Sequence, residues 1–358
     1  MATEAIVTIC IPHHGGWNHL RALLSSLRAL DPASPAFQML VVDNASEDGS
    51  REMLADHFPE VRVLRLDANR GFAGALNLAA ETAVTDWLAF LNNDMRVHPE
   101  WLLEAFRAAE KHGAPCISSR IVDWDGSRTQ FAGGEINLLG KGFEWGDQDC
   151  DVEEEQRLLF PCGGAMLIDR NLFLQSGEFD EDYELIYEDV DLGWRLNLRG
   201  YEVWYAPKSL AYHRRHISLA RVPYSRKAIF YERNSLATMY KNLGREAWAI
   251  VFPTLMRLAI YRTEAMLRLG ADGYDHLRGV QAFFDAVPKW REKRRRVQSC
   301  RTVSDDQILS LFFPHPTRLW AYTGKHRDAL LHSSYVEIRD LALRDVVRKI
   351  SPTRPSRS

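Results

Sequence analysis

Two adjacent carboxylates, Glu188 and Asp189, are the residues of this sequence best suited to proton chemistry. They begin a segment with helical spacing of apolar residues, and Gly200 supplies the left-handed position that commonly ends a helix. A carboxylate placed there can act as a general base, and an imidazole, His213, follows after one more strand-like segment. Acids at a helix start also cap the helix and interact favourably with its dipole, so the pair alone leaves both roles open.

A second candidate is the run Asn92-Asn93-Asp94, which follows the apolar segment Trp87–Leu91. A carboxylate and an amide oxygen at a strand end can hold a divalent cation together with phosphate oxygens and water. The same tripeptide is also common in ordinary turns. Two other polar groups favour ligand binding, because Asp43 ends another predicted strand and Asn69-Arg70-Gly71 enters a predicted helix, where phosphate or ribose can bind.

The elements that must position these residues alternate between strand and helix. Apolar patterning predicts strands at 6–11, 39–42, 61–66 and 87–91, with helices at 20–30 and 73–83. This alternation implies right-handed crossovers and a mostly parallel sheet, so we expect an α/β, Rossmann-like fold. Ligands bind at the carboxyl ends of such strands, and those ends carry Pro12-His13-His14, Asp43, Asn69-Arg70-Gly71 and Asn92-Asn93-Asp94.

Less regular sequence separates this half of the chain from the acidic pair. Residues 120–160 show little periodicity and are interpreted as loops over the sheet. The run Cys162-Gly163-Gly164 opens a strand, either as a tight turn or as a place where backbone approaches a ligand closely. A short strand is predicted at 201–206, with Pro207 ending it.

The C-terminal third is predicted to be a helical extension. Residues 224–290 look amphipathic, with Pro253 favouring a bend or break, and a basic cluster at 289–296 ends that stretch. Three regions are predicted: a catalytic domain at 1–240, a basic amphipathic extension at 241–301, and a helical region with a disordered tail at 302–358.

Charge is distributed unevenly along the 358 residues. Residues 1–207 carry 16 Lys and Arg against 35 Asp and Glu, whereas residues 208–301 carry 20 against 7. The acidic front argues against a nucleic-acid partner, and the basic segment 208–301 suggests anionic lipid or a phosphorylated acceptor. The five cysteines form no paired framework, the N-terminus is not leader-like, and no apolar run is long enough to span a membrane. We therefore expect a cytoplasmic protein, which lies on the inner face of the cell membrane if the basic segment binds lipid.

Several motifs in order resemble inverting nucleotide-sugar glycosyltransferases of family 2, which have the GT-A fold, and in particular bacterial rhamnosyltransferase-like members. The resemblance covers about residues 5–244. The matching segments are 41–50, 69–74, 91–94, 162–166, 177–181, the run from Tyr187 to Leu196, His213 with Ser218, and 231–234.

On the donor side, the resemblance implies that Pro12 and Asp43 line the nucleobase and ribose pocket. It implies that Asn69, Arg70 and Gly71 lie near the diphosphate. Asn92-Asn93-Asp94 stands where the family has its metal motif, so Asp94 would bind Mg²⁺ or Mn²⁺, with Asn92 a weaker ligand and His213 completing the site. His216 is the alternative ligand to His213, and His13-His14-Gly15-Gly16 departs from the Tyr-Asn-Arg usual in relatives.

On the acceptor side, the resemblance implies that Asp189 is the general base and that Glu188 positions the acceptor, with Glu188 as the alternative base. Cys162, Gly163 and Gly164 are assigned to the same side. The implied reaction is inverting transfer of a sugar, rhamnose from dTDP-rhamnose being favoured, to a hydroxyl of a glycan or polyprenyl-diphosphate-linked acceptor in cell-surface polysaccharide synthesis.

Other functions remain as alternatives. The motifs would also fit an enzyme that uses a UDP-hexose donor and a soluble acceptor, or a non-catalytic binding protein of the same fold. Assembly into a homo-oligomer is an open question. A nucleotidyltransferase would need a basic phosphate loop after the first strand, and a dinucleotide-dependent oxidoreductase would need GxGxxG there. Neither is present, and no QxxRW motif of processive synthases follows Glu188-Asp189.

Overall fold

The computed structural model describes residues 4–146, 151–214, 222–268, 274–312 and 334–350. The chain forms two compact units. The first comprises Met1–Gly134, Glu144–Asn197 and Tyr201–Arg221, and the second comprises Glu135–Phe143, Leu198–Gly200 and Val222–Ser358. The boundaries predicted at 240 and 301 follow composition rather than contacts and stay a prediction. The predicted disordered tail lies outside the described residues from 351 onwards.

The first unit is built on a ten-stranded mixed sheet in which the strands at 7–13, 37–43, 62–65 and 87–91 run parallel to one another, which confirms the predicted α/β fold. The strand order is β10-β12-β6-β11-β4-β1-β2-β3, with β5 paired to β12 and β7 to β6, and β8 pairs with β9 separately. The strands are β1 Val7–His13, β2 Phe37–Asp43, β3 Arg62–Arg65, β4 Trp87–Leu91, β5 Met95–Val97, β6 Cys116–Asp123, β7 Thr129–Phe131, β8 Gly134–Ile136, β9 Gly142–Glu144, β10 Gln156–Leu158, β11 Ala165–Asp169 and β12 Val203–His213.

Helices on the sheet arise from the periodicity read in the sequence. Leu20, Leu23, Leu24 and Leu27 form the buried face of the first helix, while strand β1 is buried on both faces. The predicted strands and helices up to residue 91 are all present. The helices of this unit are α1 Trp17–Arg28, α2 Ser50–His57, α3 Gly71–Thr82, α4 Trp101–His112, α5 Arg170–Gln175 and α6 Glu188–Leu198, with a 3₁₀ turn at Glu181–Tyr183.

Two predictions for this unit are wrong. Residues 120–160 are not loops alone, because β6 extends to Asp123 and β7, β8, β9 and β10 lie within the range. A three-residue strand shows no alternation that a sequence could reveal, so its pairing depends on distant partners. Pro207 does not end a strand either, since β12 continues to His213 with a register shift between Ala206 and Leu210. A bulge leaves residues outside the ladder, so the missing N–H of proline is tolerated there.

The second unit is helical where it is described. Its helices are α7 Tyr224–Asn242, α8 Arg245–Arg268, α9 Tyr274–Asp285, α10 Val287–Ser299, α11 Asp305–Leu309 and α12 Ser334–Ile350. The break predicted as one possibility at Pro253 is wrong, because α8 is one helix with Pro253 inside it, whereas a bend there stays a prediction. Packing of α8 against α9 and α12 explains why the missing hydrogen bond is tolerated. In the described parts of the chain, no helix combines the length and apolar character needed to cross a membrane.

A buried ion cluster lies in the second unit and is called here the Glu232 cluster. The Glu232 carboxylate lies 2.6 Å from Arg262 Nη2, 3.1 Å from Lys141 Nζ and 3.5 Å from His276 Nδ1. Burial alone would raise the pKa of Glu232, but Arg262 and Lys141 hold it well below its usual value. Burial lowers the pKa of Lys141 to about 8 and that of His276 to about 4. These shifts describe a carboxylate that keeps its charge because cations surround it.

The segment 135–143, which includes the connection between β8 and β9, reaches this cluster. Its Lys141 precedes Glu232 by 91 residues in the chain. Lys141 supplies one of the cations, Ser235 Oγ donates to Gly140 O at 2.6 Å, and the Gly142 N–H donates to the Tyr231 hydroxyl at 3.1 Å. Gly140 adopts a left-handed backbone with φ of 71°. A side chain at Gly140 would therefore be strained in this loop.

Candidate active site

Asn44 joins three strand-end segments at the carboxyl edge of the sheet. Its backbone N–H donates to His13 O at 2.7 Å, its side-chain Nδ2 donates to Gly71 O at 3.0 Å, and its Oδ1 accepts from the Arg70 N–H at 2.7 Å. The side chain is buried, and both of its amide functions are used by the loop that enters α3. Asn44 therefore fixes the predicted diphosphate loop against β1 and β2. The sequence analysis did not single out Asn44, although it belongs to the matching segment 41–50.

The predicted diphosphate residues form a tight turn at the start of α3. Asn69 Oδ1 accepts from the Gly71 N–H at 2.7 Å, and Gly71 has a φ of 72°, which favours glycine. The Arg70 guanidinium makes an ion pair with Glu181 at 3.1 Å, with both side chains about half exposed. Arg70 is thus accessible to an anion that competes with Glu181. Exposed pairs of this kind contribute little, so such an exchange costs little free energy.

Asp43 and Pro12 lie beside each other on neighbouring strands. Pro12 is opposite Val42 in the β1–β2 register, and the next pair along is His13 with Asp43. Asp43 is buried, and its Oδ1 accepts from the Ser46 N–H at 2.9 Å. It lines a polar hollow together with Arg51 and Arg65, among other residues. The two predicted nucleobase residues therefore share one edge of the sheet.

Asn93 ties the first loop to the Asn92-Asn93-Asp94 turn. Its side-chain Nδ2 donates to Gly15 O at 3.2 Å, and this bond fixes the orientation of the amide. The same Nδ2 lies 2.9 Å from His13 Nδ1. His13 Nδ1 must then accept, so the ring proton is on Nε2. Burial lowers the pKa of His13, which favours this neutral form. The departure from the usual Tyr-Asn-Arg is thus accommodated by a specific contact between His13 and Asn93.

Asp94 and His213 face each other across the strand ends, with Asp94 Oδ1 3.5 Å from His213 Nε2. Asp94 is buried, and its carbonyl accepts from the Arg214 N–H at 3.1 Å. His213 Nδ1 lies 2.8 Å from Gln130 Oε1. A carboxylate oxygen and an imidazole nitrogen at this separation suit two adjacent ligands of one Mg²⁺ or Mn²⁺, with the remaining positions left for phosphate and water. The donor set therefore fits the implied cation.

Asn92 contacts the other predicted turn rather than the Asp94–His213 pair. Its N–H donates to Gly164 O at 3.0 Å, and a Cβ built on Gly164 would lie 2.9 Å from Asn92 Nδ2. Across the residues that the structure describes, no group of three or more His, Cys, Asp or Glu side chains is arranged around a metal position. Asp94 and His213 stay the predicted protein ligands of the cation.

The turn Cys162-Gly163-Gly164 lies between the metal-binding candidates and the acidic pair. The Gly163 N–H donates to Asp189 Oδ2 at 3.1 Å, and a Cβ on Gly163 would lie 3.3 Å from the Asp189 Cβ. Together with the Gly164 contact to Asn92, this turn links the two halves of the site. The absence of side chains at both glycines is explained by close neighbours on each side.

Glu188 and Asp189 begin α6, as predicted. Burial, and then the neighbouring Asp189, raise the pKa of Glu188 to about 8. Burial also raises the pKa of Asp189, although the N–H groups of Gly163 and Val190 oppose the shift. Burial and the nearby carboxylates raise the pKa of the Cys162 thiol, so it stays protonated. Raised pKa values in two adjacent carboxyl groups are typical of acid–base sites.

The backbone just before this pair adopts uncommon conformations. Ile186 has a φ of 57° and Tyr187 a φ of 77°. A positive φ is strongly disfavoured for a β-branched residue such as Ile186, and strain of this kind collects at functional sites. The strained residues fix where α6 begins and hence where Asp189 lies.

Two residues used by the site were missed by the sequence analysis, Asn44 and Gln130. Gln130 lies in the three-residue strand β7, inside the range interpreted as loops, and nothing in the sequence marks it. The alternative ligand His216 and the motif residue Ser218 lie outside the described residues, so the choice between His213 and His216 stays a prediction.

Comparison with known proteins gives a family match. The model of "Glycosyl transferase family 2" matches residues 8–176, a span that ends before Glu188, Asp189 and His213. An N-acetylglucosaminyl-diphospho-decaprenol L-rhamnosyltransferase of Mycobacterium tuberculosis is 30% identical over 258 residues, which cover 64% of this chain and 82% of the relative. The O-antigen biosynthesis protein RfbC of Myxococcus xanthus is 28% identical over 209 residues, covering 55% of this chain and 16% of that protein.

Solved structures agree on the fold. GalNAc-T7 with UDP, GalNAc and Mn²⁺ matches with a TM-score of 0.52 at 15% identity, covering 68% of this chain and 51% of that one. TarS 1-349 of S. aureus matches with a TM-score of 0.50 at 14% identity, covering 98% and 93%. At these identities the likeness concerns the fold alone.

Proposed function

Since the chain belongs to glycosyltransferase family 2 and has the GT-A fold, we propose that it is a metal-dependent, inverting rhamnosyltransferase acting on a lipid-linked glycan. The donor is dTDP-rhamnose, and the acceptor is a hydroxyl of a glycan on a polyprenyl diphosphate. The Mycobacterium tuberculosis relative, named for L-rhamnose transfer to such an acceptor, supports this substrate pair. The relative from Myxococcus xanthus supports a role in cell-surface polysaccharide synthesis.

The observation that carries the proposal is the Gly163-Gly164 turn, which contacts both chemical centres. Gly163 N–H bonds to Asp189, the proposed base, and Gly164 O bonds to the Asn92 N–H of the proposed donor side. An inverting transfer needs a base on one face of the sugar and charge stabilisation at the leaving group on the other. One rigid turn that contacts both centres supports this geometry.

On the donor side, Pro12 and Asp43 are proposed to bind the nucleobase and ribose, and Asn69, Arg70 and Gly71 the diphosphate. Asn93 would orient the ribose, and Asp94 with His213 would hold Mg²⁺ or Mn²⁺. A bound cation supplies Lewis-acid stabilisation of the charge on the departing nucleoside diphosphate. GalNAc-T7, which shares the fold, was solved with Mn²⁺.

On the acceptor side, Asp189 is proposed to take the proton of the attacking hydroxyl, and Cys162, Gly163 and Gly164 to bound the acceptor. The raised pKa of Asp189 increases its affinity for that proton, while the N–H groups of Gly163 and Val190 oppose the shift and stabilise the carboxylate form. Glu188, with a pKa of about 8, is protonated at neutral pH and can donate a hydrogen bond to the acceptor. This difference favours Asp189 over Glu188 as the base.

The test is a thermal-shift and transfer assay with dTDP-rhamnose, UDP-glucose and UDP-N-acetylglucosamine, each with Mn²⁺ or EDTA. A true donor at 100 times its dissociation constant should stabilise the protein by about 2.7 kcal/mol. Asp94→Ala should lose donor binding and turnover together, whereas Asp125→Ala, an exposed acid of the same unit, should match the wild type. Full activity in EDTA would reject the metal site. If only a UDP-hexose stabilised the protein, that nucleotide sugar would replace dTDP-rhamnose as the proposed donor. Binding without transfer would indicate a non-catalytic protein.

The exposed face of α8 is proposed to bind an anionic membrane surface at which the acceptor is presented. Ile260, Tyr261 and Leu267 are 61%, 43% and 41% exposed on that face, beside the exposed Arg257 and the exposed ion pair of Arg268 with Glu264. Apolar and basic residues together on one helix face are typical of interfacial helices. The opposite face is buried within the second unit, so packing and lipid binding use different sides of the helix.

Co-sedimentation with phosphatidylglycerol vesicles at low and high salt tests this surface. The wild type should bind at low salt and be released at high salt. The double change Ile260→Ser and Leu267→Ser should weaken binding, while Val84→Ser, at an even more exposed apolar position of the first unit, should not. If low-salt binding is absent, the protein acts on a soluble acceptor, and a dimer detected by ultracentrifugation would assign the α8 face to a second copy.

A further inference from the structure

Gln130 is the buried side chain that joins the proposed ligand His213 to the end of β6. Gln130 Nε2 donates to Asp123 Oδ1 at 2.6 Å and to His213 O at 3.2 Å, while Gln130 Oε1 lies 2.8 Å from His213 Nδ1. Asp123 Oδ1 and the His213 carbonyl accept only, so the amide nitrogen must face them. The orientation of the Gln130 amide is therefore determined by its partners rather than chosen.

This orientation determines which nitrogen of His213 carries the proton. Because Gln130 presents an oxygen to Nδ1, Nδ1 must donate, and the neutral ring then has its lone pair on Nε2. Nε2 is the atom that lies 3.5 Å from Asp94 Oδ1. Two lone pairs facing each other at that distance repel unless a cation lies between them.

The arrangement is also held by the backbone. His213 is opposite Asp123 in the β12–β6 register and opposite Met95 in the β12–β5 register, and Met95 directly follows Asp94. His213 therefore lies between two strand ends that carry Asp94 and Asp123. Gln130, 8% exposed, leaves little room for water to replace its amide.

We infer that Gln130 is a positioning residue that fixes the tautomer and the direction of His213 and thereby sets the divalent-cation affinity of the Asp94–His213 pair. The inference rests on the proposed function, because it assumes that this pair is the metal site. Removal of such an outer hydrogen-bond partner typically lowers metal affinity by roughly 10 to 100-fold.

The first measurement is the affinity for Mn²⁺ in the presence of dTDP, obtained from the electron paramagnetic resonance signal of the free ion. Gln130→Leu should weaken Mn²⁺ binding by about 10-fold or more. Gln156→Leu is the matched control, since Gln156 donates a similar buried-edge hydrogen bond to Ala132 O at 3.0 Å elsewhere in the same unit. The control should keep wild-type affinity, and unchanged affinity in Gln130→Leu would overturn the inference.

The second measurement separates orientation from general loosening of the strand. The ¹⁵N shifts of His213 without metal should show the proton on Nδ1 in the wild type and a shift towards the other tautomer in Gln130→Leu. The double change Gln130→Glu and Asp123→Asn exchanges acceptor and donor between the two side chains, so an oxygen again faces Nδ1, while the longer hydrogen bond from position 130 to His213 O, 3.2 Å in the wild type, is lost. It should restore Mn²⁺ affinity to within a few-fold, whereas Gln130→Glu alone should not, because two carboxylates then meet.

The outcomes distinguish this inference from the function on which it rests. If Asp94→Ala and His213→Ala leave Mn²⁺ affinity unchanged, the metal site itself is rejected. If those two weaken binding while Gln130→Leu does not, only the role of Gln130 is rejected. If Gln130→Leu fails to fold, the exchange variant decides, and failure of that variant to recover affinity overturns the inference.

Discussion

Two groups of buried acids in this protein differ in what surrounds them. Glu188 and Asp189, in the first unit, have backbone N–H groups and each other as neighbours, and their pKa values are raised. Glu232, in the second unit, is more fully buried, but it is surrounded by the cations Arg262 and Lys141, and its pKa is lowered. Burial is common to both groups, so the presence or absence of cations decides the direction of the shift.

The difference separates a reactive acid from a structural one. A carboxylate whose charge is fully matched by cations has little tendency to take a proton, and removing it leaves those cations uncompensated. A carboxylate held only by N–H donors can exchange a proton near neutral pH, and its loss should affect rate more than stability.

The largest effect is expected for Asp189→Asn. The substitution keeps the volume and an oxygen for the Gly163 N–H but removes the proton acceptor, so kcat should fall by roughly 10²–10⁴-fold. Donor affinity, measured by titration with dTDP-rhamnose, should stay near that of the wild type. Loss of donor affinity together with kcat would instead make Asp189 a helix cap.

The next effect is on stability and concerns Glu232→Gln. Breaking a buried ion pair from one side typically costs about 3–5 kcal/mol, because the cations lose their counter-charge. Native-state hydrogen exchange of the α7 and α8 amides should show this loss, while kcat of the folded protein stays unchanged. Glu264→Gln is the control in the same unit, because Glu264 forms an exposed pair with Arg268 and should matter by less than about 1 kcal/mol. A similarly small loss of stability for Glu232→Gln would contradict the distinction between a reactive acid and a structural one.

The smallest effect, counted per pH unit, is a pH dependence carried by Glu188. Its folded pKa of about 8 lies above the unfolded value of 4.5, so the folded state binds the extra proton between these pH values. The stability that protonated Glu188 contributes is therefore fully present below pH 4.5. It is lost as the pH rises towards 8, and the free energy of unfolding then falls by at most about 1.4 kcal/mol per pH unit. Glu188→Gln should gain in Tm relative to the wild type over that window.

The control for this pH series is Glu52→Gln, an exposed acid of the first unit, whose Tm difference from the wild type should stay flat. A flat difference for Glu188→Gln as well would mean that Glu188 is ionised at neutral pH. It would then become a candidate base equal to Asp189.

The parts of the fold that the sequence predicts are those with local periodic patterns. The strand and helix alternation up to Leu91 and the start of α6 at Glu188 depend on residues near each other in the chain. The strand-end residues followed from this order, because parallel strands bring their carboxyl ends to one edge. The assignments of Asp43, Asn69 and Asp94 to one face of the site come from the same reasoning.

The parts that the sequence did not predict depend on distant partners. Strand β7 exists because it pairs with β6, and it carries Gln130 to His213, 83 residues later in the chain. Pro207 and Pro253 are tolerated because a bulge and tertiary packing outweigh local preference. Asn44 carries a local signal, but its two amide partners could be identified only from the folded loop.

The position of Lys141 in the chain has a consequence for the order of folding. The ribosome releases the loop 135–143 long before Tyr231, Glu232 and Ser235, to which this loop is bound in the folded protein. Closing a loop of about ninety residues carries an entropic cost that grows only with the logarithm of its length, but such non-local contacts slow folding. A chain cut after residue 221 would therefore lack the partners of its own loop, and the helical unit expressed alone would lack the lysine of its ion cluster.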